Sequence, residues 1–178
     1  MSDGTVTLKD MSRRIARFAD LRPNPQMFVD TRLPEHEREL FSVIGPGVSE
    51  DKETRPAIAA AEDFNIAYIA AHPGKGASLH SHTTVEVFIP LTGKWKIYWN
   101  EGSAQESVVL GPWDCISLPK GVMRGFENVG TEYAYMIGMT GGADSGKVSW
   151  AKSVLDRAEK TGLRLDADGN LIIDQAAE

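Results

Sequence analysis

The chain has 178 residues, room for one domain of ordinary size with terminal extensions and too little for two large catalytic domains. It is 42% hydrophobic and 25% charged, with 17 glycines and 9 prolines, which excludes a disordered or a collagen-like chain. A net charge of -6 argues against sequence-independent attraction to nucleic acid or to an anionic membrane surface. No apolar run approaches the roughly 20 residues that span a bilayer, and no secretory leader pattern is visible, so a cytoplasmic protein is expected.

In chain order, residues 10–19 place Met11, Ile15, Phe18 and Ala19 at helical spacing, and Arg22-Pro23-Asn24-Pro25 stops that helix. Residues 1–37 read as an N-terminal packing extension. The charged run Glu35-His36-Glu37-Arg38-Glu39 predicts a surface position for His36. Residues 45–57, rich in Gly, Pro and charge, read as a long connection.

From Phe64 the texture changes to short runs rich in β-branched and aromatic residues: 64–71, 85–91, 94–100, 106–110, 114–118, 122–128 and 133–139. Turn signals separate them, among them Pro73-Gly74, Thr92-Gly93, Gly111-Pro112, Pro119-Lys120-Gly121 and Asn128-Val129-Gly130. Many short strands with close turns predict an all-β, antiparallel sandwich or barrel over residues 38–140. A single cysteine, Cys115, rules out an intramolecular disulfide, and its apolar surroundings predict a small core residue.

Residues 141–178 form a C-terminal helix and tail. Ser149 is the expected cap, Trp150, Ala151, Val154, Leu155 and Ala158 form one apolar stripe, and Gly162 is a C-terminal stop. A small hairpin is expected over 163–173 about Asp168-Gly169, with frayed residues after it. Gly141-Gly142-Ala143-Asp144-Ser145-Gly146-Lys147-Val148 approaches a phosphate-binding loop, but Val148 lacks the hydroxyl that would hold Mg²⁺ and no βαβ unit aims the loop. Asp166-Ala167-Asp168-Gly169-Asn170 lacks the other ligands of a calcium loop and reads as a turn. His72 reads as structural, near the barrel mouth.

His80, His82 and Glu86 have the same parity, so an extended strand would project them from one face. Two imidazoles and a carboxylate suit a divalent transition metal (Fe, Mn, Ni or Zn), although the same residues can simply decorate an exposed strand. By the same parity Phe88 continues the face of Glu86, and Trp95, Ile97 and Trp99 face inward, as core or as the wall of a pocket. Val85, Val87, Ile89 and Leu91 then form an outward apolar row that wants cover, and a homodimer is expected.

The spacing around these residues is Gly74, five residues, His80-Ser81-His82, three residues, Glu86, six residues, Gly93. It resembles the first motif of the cupin superfamily at every fixed position. The stretch from Asp114 through Pro119, Gly121 and Gly125 to Asn128 resembles the second motif in its Asp, Pro, Gly and Asn. The resemblance covers about residues 64–140 and implies a double-stranded β-helix, the jelly-roll barrel, with helical extensions at both ends. It makes His80, His82 and Glu86 metal ligands.

Two departures stand out. Trp113 occupies the place of a glycine before Asp114, and Arg124 stands where the family supplies a fourth, histidine ligand. A guanidinium has no free lone pair and cannot ligate. Arg124 is therefore expected either to pair with Glu86 or to face the metal's open side and anchor an anion. The resemblance implies a metal-dependent cupin acting on a small anionic molecule, with dioxygenase-like oxidoreductase chemistry. Arg124, Trp95, Trp99 and Phe88 are then its substrate-binding residues. A non-catalytic small-ligand-binding cupin and a sugar-phosphate isomerase or epimerase are the alternatives.

Overall fold

The computed structural model describes residues 5–143 and 146–174. Asp144 and Ser145 of the glycine-rich segment, and the last four residues, for which fraying was expected, lie outside the described residues. The chain builds α1 (Leu8–Ser12), then β1 (Glu39–Ile44), β2 (Phe64–Ala71), β3 (Gly76–Ser81), β4 (Glu86–Pro90), β5 (Trp95–Trp99) and β6 (Glu106–Leu110). It continues with β7 (Ile116–Leu118), β8 (Arg124–Asn128), β9 (Ala134–Gly141), β10 (Ser149–Trp150), α2 (Lys152–Glu159), β11 (Leu163–Leu165) and β12 (Leu171–Ile173). Two five-stranded sheets, ordered β1-β2-β9-β4-β7 and β10-β3-β8-β5-β6, face each other, and every strand pair in them is antiparallel. This is the double-stranded β-helix the motifs implied.

Strand alternation explains the layers. Along β9 (AYMIGMTG) buried and half-buried residues alternate throughout, and β4 (EVFIP) does the same. The buried sets meet between the sheets: Ile69, Phe88 and Met136 from one, Ala77, Trp95, Ile97 and Phe126 from the other. Phe88 and Trp95 both make edge-on contacts with Phe126, at 5.2 and 5.9 Å between centroids.

The motif residues outside the ligand set are structural. Gly74, Gly93 and Gly121 take φ of 74°, 70° and 78°, a left-handed backbone that glycine adopts without a Cβ penalty. The Gly74 N–H donates to Asn128 O, Gly121 N–H to His82 O, and the Asn128 amide to Ala71 O and Glu132 O, so the two motifs are laced together. Trp113, at the place where the motif resemblance implies a glycine, takes a left-handed backbone, with φ 73°, and is 77% exposed.

Several local expectations are corrected. The first helix is only Leu8–Ser12, held by a Thr7–Asp10 capping box. Phe18 lies in a separate 3-10 turn, where its ring packs on Phe41, Tyr68 and Tyr135 at 5.3–5.9 Å. Ser149 does not cap α2: it pairs with Ser81 in β10, and Ala151 is the N-cap. Cys115 is exposed, because β7 begins only at Ile116 and leaves it in the preceding turn. His36 is not a surface residue. Its side chain is 13% exposed, and burial lowers its imidazole pKa. The hairpin β11–β12 forms about Asp168-Gly169 with Leu165 opposite Leu171, and Asp166 Oδ1 accepts the N–H groups of Asp168 and Asn170. His72 is exposed and stacks on Tyr133 at 4.8 Å.

On the outer face of the first sheet, the Phe18 segment covers β1, β2 and β9. Val85 is 42% exposed, and Val87, Ile89 and Leu91 are half-buried. No helix among the described residues is long and apolar enough to cross a membrane.

Candidate metal centre

His80, His82 and Glu86 converge, but not from one strand. His80 lies on β3 in one sheet, Glu86 opens β4 in the other, and the chain crosses between the sheets at residues 82–85. Gly121 pins that crossing through its N–H to His82 O at 2.8 Å. One ligand atom from each residue falls within 4.8 Å of the other two, and all three residues are buried, at 6%, 3% and 6% exposure.

The electrostatics leave His80 and Glu86 in ligating form. Burial drives the His80 imidazole down to about 3, with His82 and Arg124 adding to the effect against Glu86, so His80 is neutral at physiological pH. Its Nδ1 donates to Ser78 O at 2.7 Å, which leaves the Nε2 lone pair outward. Burial alone would raise the Glu86 carboxyl. The His82 charge and hydrogen bond, followed by Arg124 and His80, outweigh that and hold it at about 2, fully ionised at neutral pH. His82 Nε2 stands 3.5 Å from Glu86 Oε2, and its buried Nδ1 has no partner among the described residues. The neutral His80 imidazole, the His82 imidazole with its orphaned buried nitrogen, and the Glu86 carboxylate are donors that fit a divalent transition metal.

Arg124 pairs with Glu86. It is fully buried on β8, directly opposite His80 on β3, and its Nε donates to Glu86 Oε2 at 2.9 Å. Nη2 lies 2.9 Å from the same oxygen but off a hydrogen-bonding line, and Nη1 donates to Val122 O at 3.0 Å. The guanidinium thus engages one carboxylate oxygen and does not occupy Oε1.

The three ligand residues line an interior cavity of about 70 Å³, about 650 Å³ of empty space when its open mouth is counted. Its apolar wall includes Met27, Phe28, Ile69, Phe126 and Trp150, and Trp150 stacks on His80 at 5.2 Å. Phe88 and Trp95 lie in the packed layer between the sheets, and Trp99 is half-buried beside Arg124 on β5; none of these three borders the cavity.

The wall contains residues that sequence reasoning did not single out as site residues: Phe28, Arg38, Asn65, Thr140 and Trp150. They come from the N-terminal segment, two distant strands and the short β10. Thr140 lies beyond the predicted run 133–139, and its place opposite Glu86 comes from the pairing of β9 with β4.

The chain matches no protein-family model and no curated protein sequence. Among solved structures it is similar to the polyketide cyclase RemF from Streptomyces resistomycificus, at 15% identity over 87% of this chain and 88% of that one, with a TM-score of 0.56. It is similar to an oxalate decarboxylase from Lactobacillus farciminis in a formate complex, at 16% identity over 78% of this chain and 36% of that one, with a TM-score of 0.56. An oxalate oxidase matches at 18% identity and a TM-score of 0.52, and the chain spans 57% of its length. Laced glycine motifs, two antiparallel sheets and these structural likenesses agree: the chain has the fold of the cupin superfamily.

Proposed function

We propose that the chain is a metal-dependent cupin in which His80, His82 and Glu86 hold a divalent transition metal (Fe, Mn, Ni or Zn) at the inner pole of the cavity. Its chemistry is dioxygenase-like oxidoreductase chemistry on a small molecule with an anionic oxygen head, such as a carboxylate or enolate. The observation that carries this reading is the buried donor set itself, opening on a cavity with a largely apolar wall. A bound metal of this kind supplies Lewis acidity and, for Fe or Mn, redox capacity. The protein's own part is to keep His80 neutral and oriented through Ser78, to keep Glu86 ionised, and to exclude water with Phe28, Ile69, Phe126 and Trp150.

Arg124 acts through Glu86 on this reading. Its hydrogen bond orients the carboxylate, and the anion head is left to the metal. The structural neighbours include an oxalate oxidase in complex with glycolate, at 17% identity and a TM-score of 0.51, a protein whose ligand is a small carboxylate. The test is elemental analysis of protein purified without added metal, followed by oxygen uptake over a panel of hydroxy acids, keto acids and 1,3-dicarbonyl compounds. Stoichiometric Fe or Mn with uptake for one class supports the reading, and a metal-loaded protein inert to the whole panel refutes the oxidoreductase assignment.

A non-catalytic ligand-binding cupin is the second reading, favoured by the Arg124–Glu86 pair, which can hold the carboxylate without metal. The half-buried row Val87, Ile89 and Leu91 supports a homodimer, and a cytoplasmic location remains part of this proposal.

A further inference from the structure

The cavity has a second polar feature, Arg38, which lines it together with the ligand residues and Phe28 and Phe126. Arg38 is 5% exposed, and its guanidinium carbon lies 5.3 Å from the Phe28 ring centroid and 6.0 Å from that of Phe126. Nη2 donates to Asp30 Oδ1 at 2.9 Å, and Nη1 donates to His36 O at 2.9 Å and Gly76 O at 3.1 Å. The remaining nitrogen, Nε, is buried and has no acceptor among the described residues. A buried N–H without an acceptor is rare, and in a cavity wall it marks the place of a ligand oxygen.

The charge around Arg38 selects the kind of oxygen. Asp30, fully buried, already neutralises the guanidinium and also accepts the Ser78 N–H at 2.9 Å. A second acidic side chain, Glu50, is 3% exposed and lies within the field of both, with burial pushing its carboxyl up to about 7. A ligand anion here would be a further buried negative charge without a counter-ion, so a neutral acceptor fits. The Gly76 carbonyl that accepts from Arg38 lies at the start of β3 and His80 near its end, so Arg38 and the ligand triad border the cavity at different places along that strand.

We infer that the cavity takes an elongated, mainly apolar molecule carrying a neutral carbonyl oxygen, of the ketone or amide kind, which accepts the Arg38 Nε–H while the opposite end reaches the metal centre. This deepens the proposed function and rests on the cavity being its ligand site. Arg38 is a specificity-determining residue for the far end of the substrate.

The test uses the full-length protein and a fluorescent ketone, 6-propionyl-2-(dimethylamino)naphthalene, whose emission shifts to the blue when its carbonyl loses a hydrogen bond. Controls are 2-(dimethylamino)naphthalene, without the carbonyl, and 6-(dimethylamino)-2-naphthoate. Wild type should bind the ketone more tightly than the carbonyl-free compound. Asp30→Asn/Arg38→Met, which removes both members of the ion pair, should weaken the ketone by about tenfold and shift its bound emission to the blue, with the controls changing by less than about twofold. Arg38→Lys keeps a cation for Asp30 and should show the same selective loss, which guards against a folding defect in the double variant. Equal affinity of wild type for the ketone and the carbonyl-free compound, or a ketone affinity unchanged in both variants, overturns the assignment. A loss confined to the naphthoate overturns the neutral-acceptor choice. The metal reading is scored separately by titrating wild type with Ni²⁺ alone, because the probe measurement requires no metal.

Discussion

Replacing Arg124 with methionine isolates the charge that most sharply distinguishes this site. In wild type the guanidinium is fully buried and donates to Glu86 Oε2 at 2.9 Å. Methionine fills similar volume and leaves Glu86, 6% exposed, as a buried carboxylate without its cation. Breaking a buried pair on one side costs about 3–5 kcal/mol. In a chain of this size each kcal/mol moves the melting temperature by about 2–4 °C, so Arg124→Met in chelator should melt about 10 °C below wild type.

Added metal reverses the order. A dication and a guanidinium about 5 Å apart would repel by about 7 kcal/mol at an effective dielectric of about 20, and Arg124 is hydrogen-bonded to one of the ligand residues. Losing the orienting hydrogen bond costs about 1–3 kcal/mol of metal affinity. Repulsion wins, so the variant should bind Ni²⁺ or Zn²⁺ at least about tenfold more tightly than wild type. Differential scanning fluorimetry with chelator and across a metal series reads both effects. A drop of less than about 2 °C in chelator, or a larger metal-induced rise in wild type than in the variant, would refute the reasoning.

Two further outcomes follow from buried and strained groups. Burial pushes the Glu50 carboxyl up to about 7, against hydrogen bonds from Trp150 and Val29. Between its unfolded value of 4.5 and about 7, the folded protein holds a proton that the unfolded chain does not, so this group's contribution to stability falls as pH rises through that window. From pH 5 to pH 8 wild type should lose about 2 kcal/mol relative to Glu50→Gln, read by urea denaturation at both values; parallel pH profiles would contradict it. His80, held down to about 3, works in the opposite direction below pH 6.5, which is why the comparison is made against the variant. Trp113, at φ 73° and 77% exposed, should be replaceable by glycine with a gain of up to about 1 kcal/mol in thermal unfolding, and a loss on Trp113→Gly would mean that its side chain has a partner.

What was legible in the chain was local and periodic. β2 and β6 span the predicted runs, and β4, β5 and β8 lie one or two residues inside theirs, because alternation and turn residues sit in the same short windows. The convergence of His80, His82 and Glu86 was expected from the parity of a single strand, whereas the structure achieves it by a crossing between sheets. The motif spacing held that information, and parity did not. Strand β1 escaped because its start adjoins the charged run at 35–39, and the same run concealed Arg38, which is buried, and His36, which is half-buried. The inward parity of Trp95 leaves core and pocket wall open, because depth within the barrel is a long-range property: Trp95 sits in the packed core layer with its indole N–H on Thr92 O, and it is Trp150 from β10 that lines the cavity. Between the two expected fates of Arg124, the pairing with Glu86 depends on side-chain reach across sheets, which no local pattern encodes.

The central claim is that His80, His82 and Glu86 form a metal centre, and isothermal titration with Ni²⁺ tests it most directly. Wild type and a His80→Ala/His82→Ala double variant, both purified in chelator and exchanged into metal-free buffer, are compared by near-UV circular dichroism and then titrated. One tight site per chain in wild type, absent from a folded double variant, is the predicted result; no tight site in wild type, or the same site in the double variant, would contradict the account.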